Sequence, residues 1–518
     1  MYNLVIKNGF ILDGTGSEGY VSDIGIKNGI IAEIAENLDG EKVIDATGLT
    51  VTPGFIDSHS HSDGYVFTLP DMVDKVEQGI TTAIGGQCGG SIAPIGKHVT
   101  PYEIPGIGMS DKVLKTAGSF FDATEDYPQG INLAMFIGHR NLRGATMGLD
   151  NRSPTPKELE DMKALLREGM EAGALGVTFG LIYPPSCFAE TYELVELAKV
   201  VAEYNGIIAA HLRDEADKFE EAVEEFLYVM RQSGAKCVLS HHKAAYPQNH
   251  GKVKKTLAMV DKANEDGFDV HVDVYPYPAS STTLSARFIP KEYFSGGNDK
   301  LAERLGIPQN REAIKEHIIK QFGADNIFDW VLIIDGEHRG KYINEIAEIE
   351  GKSVYDTIMD LVKDSVNTMR CCYFMMCEED VETVVSHPKA MIGTDGVGYG
   401  KGKIFHPRAV ASFPKVLGKY VRERKVTTLP EMIRKITSMT AEVYGLKSKG
   451  IIKKGYDADI CIFDADKIID KADYINCEEK AEGLNYVIVG GVIAAENATY
   501  TGEKAGKIVR VKNNKSFF

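Results

Sequence analysis

Two histidines two residues apart, His59 and His61, lie in the run Gly54-Phe55-Ile56-Asp57-Ser58-His59-Ser60-His61-Ser62-Asp63, directly after the apolar stretch Leu49-Thr50-Val51-Thr52-Pro53. On an extended segment, residues i and i+2 project to the same side, so both imidazoles can reach one metal ion. Further candidate ligands each follow a short apolar run. Cys88 comes after Thr82-Ala83-Ile84-Gly85-Gly86-Gln87, and His211 after Gly206-Ile207-Ile208-Ala209-Ala210. His241 follows Cys237-Val238-Leu239-Ser240, and Asp395 follows Met391-Ile392-Gly393-Thr394. Imidazole and thiolate suit zinc better than magnesium or calcium. Zinc lowers the pKa of a bound water to about 7 and polarises a carbonyl. A carboxylate at the metal's edge can take the water proton and hand it to a leaving amine, the role for which Asp395 is the candidate. Together these residues read as a metal-dependent hydrolase.

Each residue also has an ordinary alternative. A single strand-end histidine is more often a satisfied polar group than a ligand, and a free cysteine is usually a small buried hydrophobe. The polar, glycine-rich surroundings Gly85-Gly86-Gln87-Cys88-Gly89-Gly90 set Cys88 apart. The other seven cysteines default to the core. Strand alternation points His242 away from His241, so it reads as structural. His271 sits mid-strand, and His98, His250, His317, His338 and His387 have no ligand context. His139, after Met135-Phe136-Ile137-Gly138, stands between a site residue and a structural one.

Ligands this far apart in sequence need a scaffold that gathers strand ends. Apolar strand candidates occur near 49–56, 80–85, 131–137, 175–180, 207–210, 236–240, 268–275 and 390–394. Helical spacing of apolar residues appears at 156–172 and 190–204. Eight strands alternating with helices predict a (β/α)8 TIM-like barrel with its active residues at the C-terminal strand ends. Candidates at 328–335 and 371–376 make ten strands for eight places, which predicts an insertion with its core at about 286–345. Short strands punctuated by Gly, Asn and Asp fill 2–6, 10–12, 22–27, 30–34 and 42–45. The same texture returns at 450–452, 458–463, 485–489 and 491–495. The two termini are therefore expected to form one small β-sandwich, over 1–53 and 446–518, around a barrel at 54–445.

The 518 residues carry a net charge of −16, which opposes nucleic acid and anionic membrane surfaces. No run is long enough to span a bilayer, and the first residues show no secretory pattern. With no Cys-x-x-Cys pair and no need of disulfides at this length, the expected setting is a reducing cytoplasm.

The motifs resemble the amidohydrolase superfamily and, within it, the N-acyl-D-amino-acid deacylases. The resemblance rests on the His59/His61 run, Gly138-His139-Arg140-Asn141-Leu142-Arg143, and Gly173-Ala174-Leu175-Gly176-Val177-Thr178-Phe179-Gly180-Leu181-Ile182-Tyr183-Pro184-Pro185. It continues through His211-Leu212-Arg213-Asp214-Glu215, Ser240-His241-His242-Lys243, Asp273-Val274-Tyr275-Pro276-Tyr277, Gly393-Thr394-Asp395-Gly396 and the stretch from His406-Pro407-Arg408 to Phe413-Pro414-Lys415-Val416-Leu417-Gly418. His-x-His indicates only the superfamily; the Gly-Leu-Ile-Tyr-Pro-Pro run is far more specific.

The resemblance implies one zinc held tightly by Cys88, His211 and His241, and a second, weaker metal position formed by His59 and His61 with Asp395. Cys88 would bridge, where hydantoinase-type relatives use a carboxylated lysine. It also implies that Lys243, Tyr275 and Arg287 hold a substrate α-carboxylate and that Tyr183 polarises the scissile carbonyl. An arginine fork suits a carboxylate. The insertion would be a lid. The activity implied is removal of an acyl group, acetyl in the first instance, from a small-molecule N-acyl-D-amino acid. A cyclic-amide or D-dipeptide hydrolase is the neighbouring alternative, and a non-catalytic descendant of the fold is the distant one. The Gly- and Lys-rich stretch at 396–403 would tune side-chain preference if it lines the pocket. Side chain, acyl length, stereochemistry and oligomeric state are not written in the residues themselves.

Overall fold

Short runs of apolar residues become buried parallel strands because helices cover their outer face and side chains fill the space they enclose. The computed structural model describes residues 1–397 and 406–511. In it Phe55–Asp57, Ile80–Gly85, Asn132–Met135 with its continuation Ile137–Gly138, Gly176–Gly180, Ile207–His211, Lys236–Leu239, Val270–Val274 and Ala390–Ile392 pair in that order, all parallel. Every residue in them is buried except Lys236. Ser58 N–H donates to Ile392 O at 3.2 Å and Asp395 N–H to His59 O at 2.8 Å, closing the last strand onto the first. The result is an eight-stranded barrel whose C-terminal ends open on one mouth.

The helices follow local rules. The helix Pro156–Ala172 starts at a capping box between Thr155 and Glu158 with proline in its first turn. It ends at Gly173, whose φ of 114° only glycine adopts freely. Met162, Leu166, Gly169 and Met170 form its buried face. Gly169 is required there, since a Cβ would stand 2.1 Å from Ile137 Cδ1.

Both termini join one nine-stranded sheet. Its long first strand, Tyr2–Ile11, pairs with Gly40–Asp45 along its beginning and with Thr50–Pro53 at its end. The sheet therefore forks, and the layers expected of a sandwich are wings of a single sheet around Leu4, Ile6, Ile11, Ile460, Ile462 and Ile488. Three boundaries differ from the sequence reading. The candidate at 49–56 is two strands: Thr50–Pro53 pairs with Ile460–Phe463 in the terminal sheet, and the barrel begins at Phe55. Gly54 is the joint, because a Cβ there would stand 2.2 Å from Thr81 side-chain atoms. Residues 450–452 form no strand. The last described residues leave the sheet and cross the bottom of the barrel, where Val509 N–H donates to Leu133 O and Val511 N–H to Gly173 O.

The surplus strand candidates pair with each other. Ala279–Thr283, Arg370–Phe374 and Val331–Ile333 form an antiparallel sheet outside the barrel. Their own apolar cluster includes Phe288, Phe328, Ile333, Ile358 and Tyr373. The inserted unit is thus longer than 286–345, running from the end of the seventh strand almost to the eighth.

Candidate metal centre

Each donor side chain leaves a barrel strand at its mouth. His59 and His61 follow the first strand, but not as part of it: the strand ends at Asp57, and the histidines sit on the turn beyond. Their rings still stand 5.7 Å apart. Cys88 follows the second strand with φ of 51°. Its sulfur lies 3.3 Å from His59 Nε2, 3.3 Å from His241 Nε2 and 3.8 Å from His211 Nδ1. Asp395, after the eighth strand, approaches His61 Nε2 at 3.0 Å and His59 Nε2 at 3.6 Å. The six side chains form two donor sets, His59-His61-Cys88-Asp395 and Cys88-His211-His241, each with all its ligand atoms within 4.8 Å of one another. Cys88 belongs to both.

Buried carboxylates behind the imidazoles decide which nitrogen faces inward. Asp273 Oδ2 lies 3.1 Å from His59 Nδ1, and its Oδ1 accepts the His241 backbone N–H at 2.7 Å. Glu215 Oε1 lies 3.0 Å from His241 Nδ1, and its Oε2 lies 3.5 Å from His211 Nε2. A carboxylate on the outer nitrogen fixes the tautomer and leaves the inner lone pair for a metal. Charge agrees with this arrangement. Burial pushes the Cys88 thiol up, but His59, His241 and His211 outweigh it and hold the group well below the usual thiol range, as thiolate. Burial also opposes ionisation of Asp395, and Arg408, His61 and His59 override it. Burial would lower His61, yet Asp395 and Cys88 raise it to about 9. Anionic sulfur and carboxylate among converging imidazoles are the donor chemistry of zinc, and these residues fit that ion.

The four substrate-contact candidates are placed differently from one another. Tyr183 lines the open cleft, with its hydroxyl 3.0 Å from Thr282 Oγ1 and its ring edge-on to His211. Tyr275 is buried under the Arg408 guanidinium, 4.6 Å from the ring centre. Lys243 and Arg287 both converge on Glu215, Arg287 at 3.2 Å. Lys243 Nζ also stands 2.7 Å from His241 Nδ1. Glu215 is therefore the hub of four side chains, His211, His241, Lys243 and Arg287. Burial raises its pKa, but His211, Lys243 and His241 carry it well below the usual carboxylate range.

His139 is not among the donors. It is fully buried, with Nε2 2.8 Å from Glu193 and Nδ1 3.1 Å from Ser186. Arg143 takes both Glu193 oxygens, at 2.8 and 3.0 Å. His242 bonds Thr256 at 2.8 Å, away from the centre.

Residues that the sequence reading passed over support the site. Arg408 stands 3.0 Å from Asp395 Oδ2. Asp63 accepts the Gly86 N–H on Oδ1 and the Ile92 N–H on Oδ2, both at 2.8 Å, and so ties the two ends of the Cys88 loop. Buried Lys75 donates to Thr394 Oγ1 at 2.8 Å and lies 3.2 Å from Asp57, which also accepts the Thr394 N–H. Asp63 and Glu215 were visible as acids four residues or fewer from a histidine, and Arg408 as part of the His406-Pro407-Arg408 motif; Lys75 carried no local signal. The mouth opens into a cleft of about 950 Å³ lined by barrel loops and by Ser281, Thr282, Asn298, Asn367 and Arg370 of the inserted unit.

A (β/α)8 barrel with a cysteine shared between two donor sets at its mouth defines a metal-dependent hydrolase scaffold. The family model described as "Amidohydrolase family" matches residues 42–306 and 333–495, and the chain belongs to that family. It is 32% identical to the D-aminoacylase of Alcaligenes xylosoxydans xylosoxydans over 512 residues, 98% of this chain and 97% of that one. It is 34% identical to the N-acyl-D-glutamate deacylase of the same organism over 517 residues, covering 98% and 96%. Among solved structures, N-acyl-D-glutamate deacylase from Bordetella bronchiseptica, complexed with zinc and a phosphonate mimic of the tetrahedral intermediate, superposes with a TM-score of 0.84. That match has 32% identity and covers 98% of this chain and all of the other.

Proposed function

We propose that this chain is a zinc-dependent deacylase that hydrolyses the amide bond of N-acyl-D-amino acids, releasing a carboxylate and a free D-amino acid. The observation that carries the chemistry is Cys88, a thiolate common to two donor sets. The full-length relatives supply the linear amide and the D configuration. Cys88, His211 and His241 would hold the tighter zinc, and His59, His61 and Asp395 with Cys88 would form the weaker position. When bound, zinc supplies Lewis acidity that makes water nucleophilic near neutral pH and polarises the amide carbonyl.

The chain's own groups do the rest. Asp395 is ionised before reaction, so it accepts the water proton and then delivers it to the departing amine nitrogen. Arg408 grips its Oδ2 and keeps Oδ1 aimed at the donor set. Burial pushes the Tyr183 phenol up, so it stays protonated and donates a hydrogen bond to the scissile carbonyl. Lys243, Tyr275 and Arg287 receive the substrate α-carboxylate, which competes with Glu215 for both cations. The inserted unit acts as the lid over a barrel framed by the terminal sheet. Among the described residues no helix is long and apolar enough to cross a membrane, and the enzyme works on a small substrate in the cytoplasm.

The test is amine release from paired N-acetyl-D- and N-acetyl-L-amino acids by the zinc-loaded protein and by Asp395→Ala. Release from the D series alone, lost in the variant by about 10²–10⁴-fold, is expected. Equal release from both series, or full activity in the variant, refutes the reading.

A further inference from the structure

We infer that Arg140 is a carboxylate-binding subsite that selects substrates whose acyl group carries its own carboxylate, as a succinyl or glutaryl group does. The inference rests on the deacylase reading for the direction in which the substrate lies.

Arg140 is the second residue of the helix His139–Thr146, which directly follows the third barrel strand. Its N–H donates to Gly89 O at 2.9 Å, which fixes its backbone beside Cys88. The side chain lines the same cleft as His61, Cys88, Tyr183 and Asp395. Its side chain is exposed within that cleft, and no carboxylate among the described residues pairs with it. Residues 398–405 and 512–518 contain no Asp or Glu side chain that could serve as a partner. The acids that share the cleft wall are committed or remote. Asp63 is held by two backbone N–H groups and Asp395 by His61 and Arg408, while Asp299 lies exposed on the inserted unit. Its neighbour Asn141 is also taken, bonding Ser91 and Pro94. A guanidinium left without a carboxylate inside a cleft is a vacant fork for one.

The order of strands gives the direction. In a closed ring of eight, the third strand stands opposite the seventh. Lys243 and Tyr275, the α-carboxylate contacts of the deacylase reading, follow the sixth and seventh strands. A substrate with its α-carboxylate there and its amide at the donor set extends its acyl group toward the third strand. Cys88 and Tyr183, from the second and fourth strands, flank that path.

The experiment compares kcat/KM for N-succinyl-D-leucine and N-butyryl-D-leucine, similar in length and different in charge, in the zinc-loaded wild type, Arg140→Met and Arg140→Lys. The expected succinyl/butyryl ratio in the wild type is about tenfold or more, falling to about one in Arg140→Met and lying between them in Arg140→Lys. A wild-type ratio near one, or a ratio that Arg140→Met leaves unchanged, overturns the proposal. If Arg140→Met instead alters the preference for N-acetyl-D-glutamate over N-acetyl-D-glutamine, the carboxylate belongs to the amino-acid side chain and the acyl assignment falls. If the wild type hydrolyses none of these, the deacylase reading has failed, and calorimetric titration with succinate decides the subsite. Binding about tenfold weaker in Arg140→Met upholds it; equal binding overturns it.

Discussion

Replacing Asp63 with asparagine tests whether the Cys88 loop is held or merely present. The Asp63 carboxylate spans the loop by accepting from Gly86 N–H and Ile92 N–H, both at 2.8 Å. Within that span Gly86, Cys88 and Gly89 all have positive φ, 74°, 51° and 74°. For Cys88 the left-handed backbone costs roughly 1–2 kcal/mol and persists because its surroundings impose it. In Asp63→Asn one acceptor becomes an NH₂ facing a backbone N–H. One charge-assisted bond, about 1.5–3 kcal/mol, is lost, and a buried donor is left bare at about 1–3 kcal/mol. Against this, burial already raises the carboxyl's pKa, and a neutral amide removes that cost. The net is on the order of 2–3 kcal/mol. Cys88 can then relax toward ordinary φ, and its sulfur withdraws from the imidazoles. If about half of the net appears at the metal, zinc binds about tenfold more weakly. Competition against a chromophoric chelator measures that affinity, and denaturant unfolding of the zinc-free protein measures the stability loss alone. Zinc affinity within twofold of wild type, together with reduced stability, would refute the argument: the clamp would then serve the fold and not the ligand.

Two further outcomes follow from the buried acids. Glu215→Gln leaves Lys243 and Arg287 without their shared buried anion, so the zinc-free protein should lose about 3–5 kcal/mol in denaturant unfolding; a loss below about 1 kcal/mol would mean that these cations find other partners. His139→Asn removes the Glu193 contact at 2.8 Å and should cost about 1–3 kcal/mol while zinc content by atomic absorption stays at the wild-type value. Loss of zinc in that variant would return His139 to the metal centre.

The barrel was legible because parallel strands buried on both faces must be apolar along their whole length, and Ile80–Gly85, Ile207–His211 and Val270–Val274 are. The domain joint between 53 and 54 was placed, but not the break in the strand there, because Thr50–Pro53 and Phe55–Asp57 share one apolar run and a close approach to Thr81 separates them. The inserted sheet was counted correctly as surplus but bounded too tightly, since its first strand, Ala279–Thr283, is polar in composition. All six candidate donors that the structure brings together could be picked from residue type and position after a strand. Their supports were less legible: Lys75 reaches the site from a helical segment far from any histidine in sequence, and Arg408 lies in the His406-Pro407-Arg408 motif without a type or spacing that assigns it a role.

Three of the candidate donors leave the alternation of their strands behind. Cys88, His241 and Asp395 all have positive φ, 51°, 34° and 46°, a conformation that L-residues other than Asn and Asp rarely enter. Each lies just past the end of its strand, where continued pleating would alternate side chains between core and helix layer. Left-handed backbone instead turns the side chain over the mouth. Each turn is fixed by a specific bond: Asp63 across the Cys88 loop, Asp273 Oδ1 to the His241 N–H at 2.7 Å, and the His59 carbonyl to the Asp395 N–H at 2.8 Å. Two of those three anchors are carboxylates and the third is the backbone of another donor. The centre is therefore strained in its separate parts and held as a unit. Loosening one anchor should weaken metal binding before it unfolds the barrel, because the anchors act on the loops above the strands and not on the strands' own hydrogen bonds.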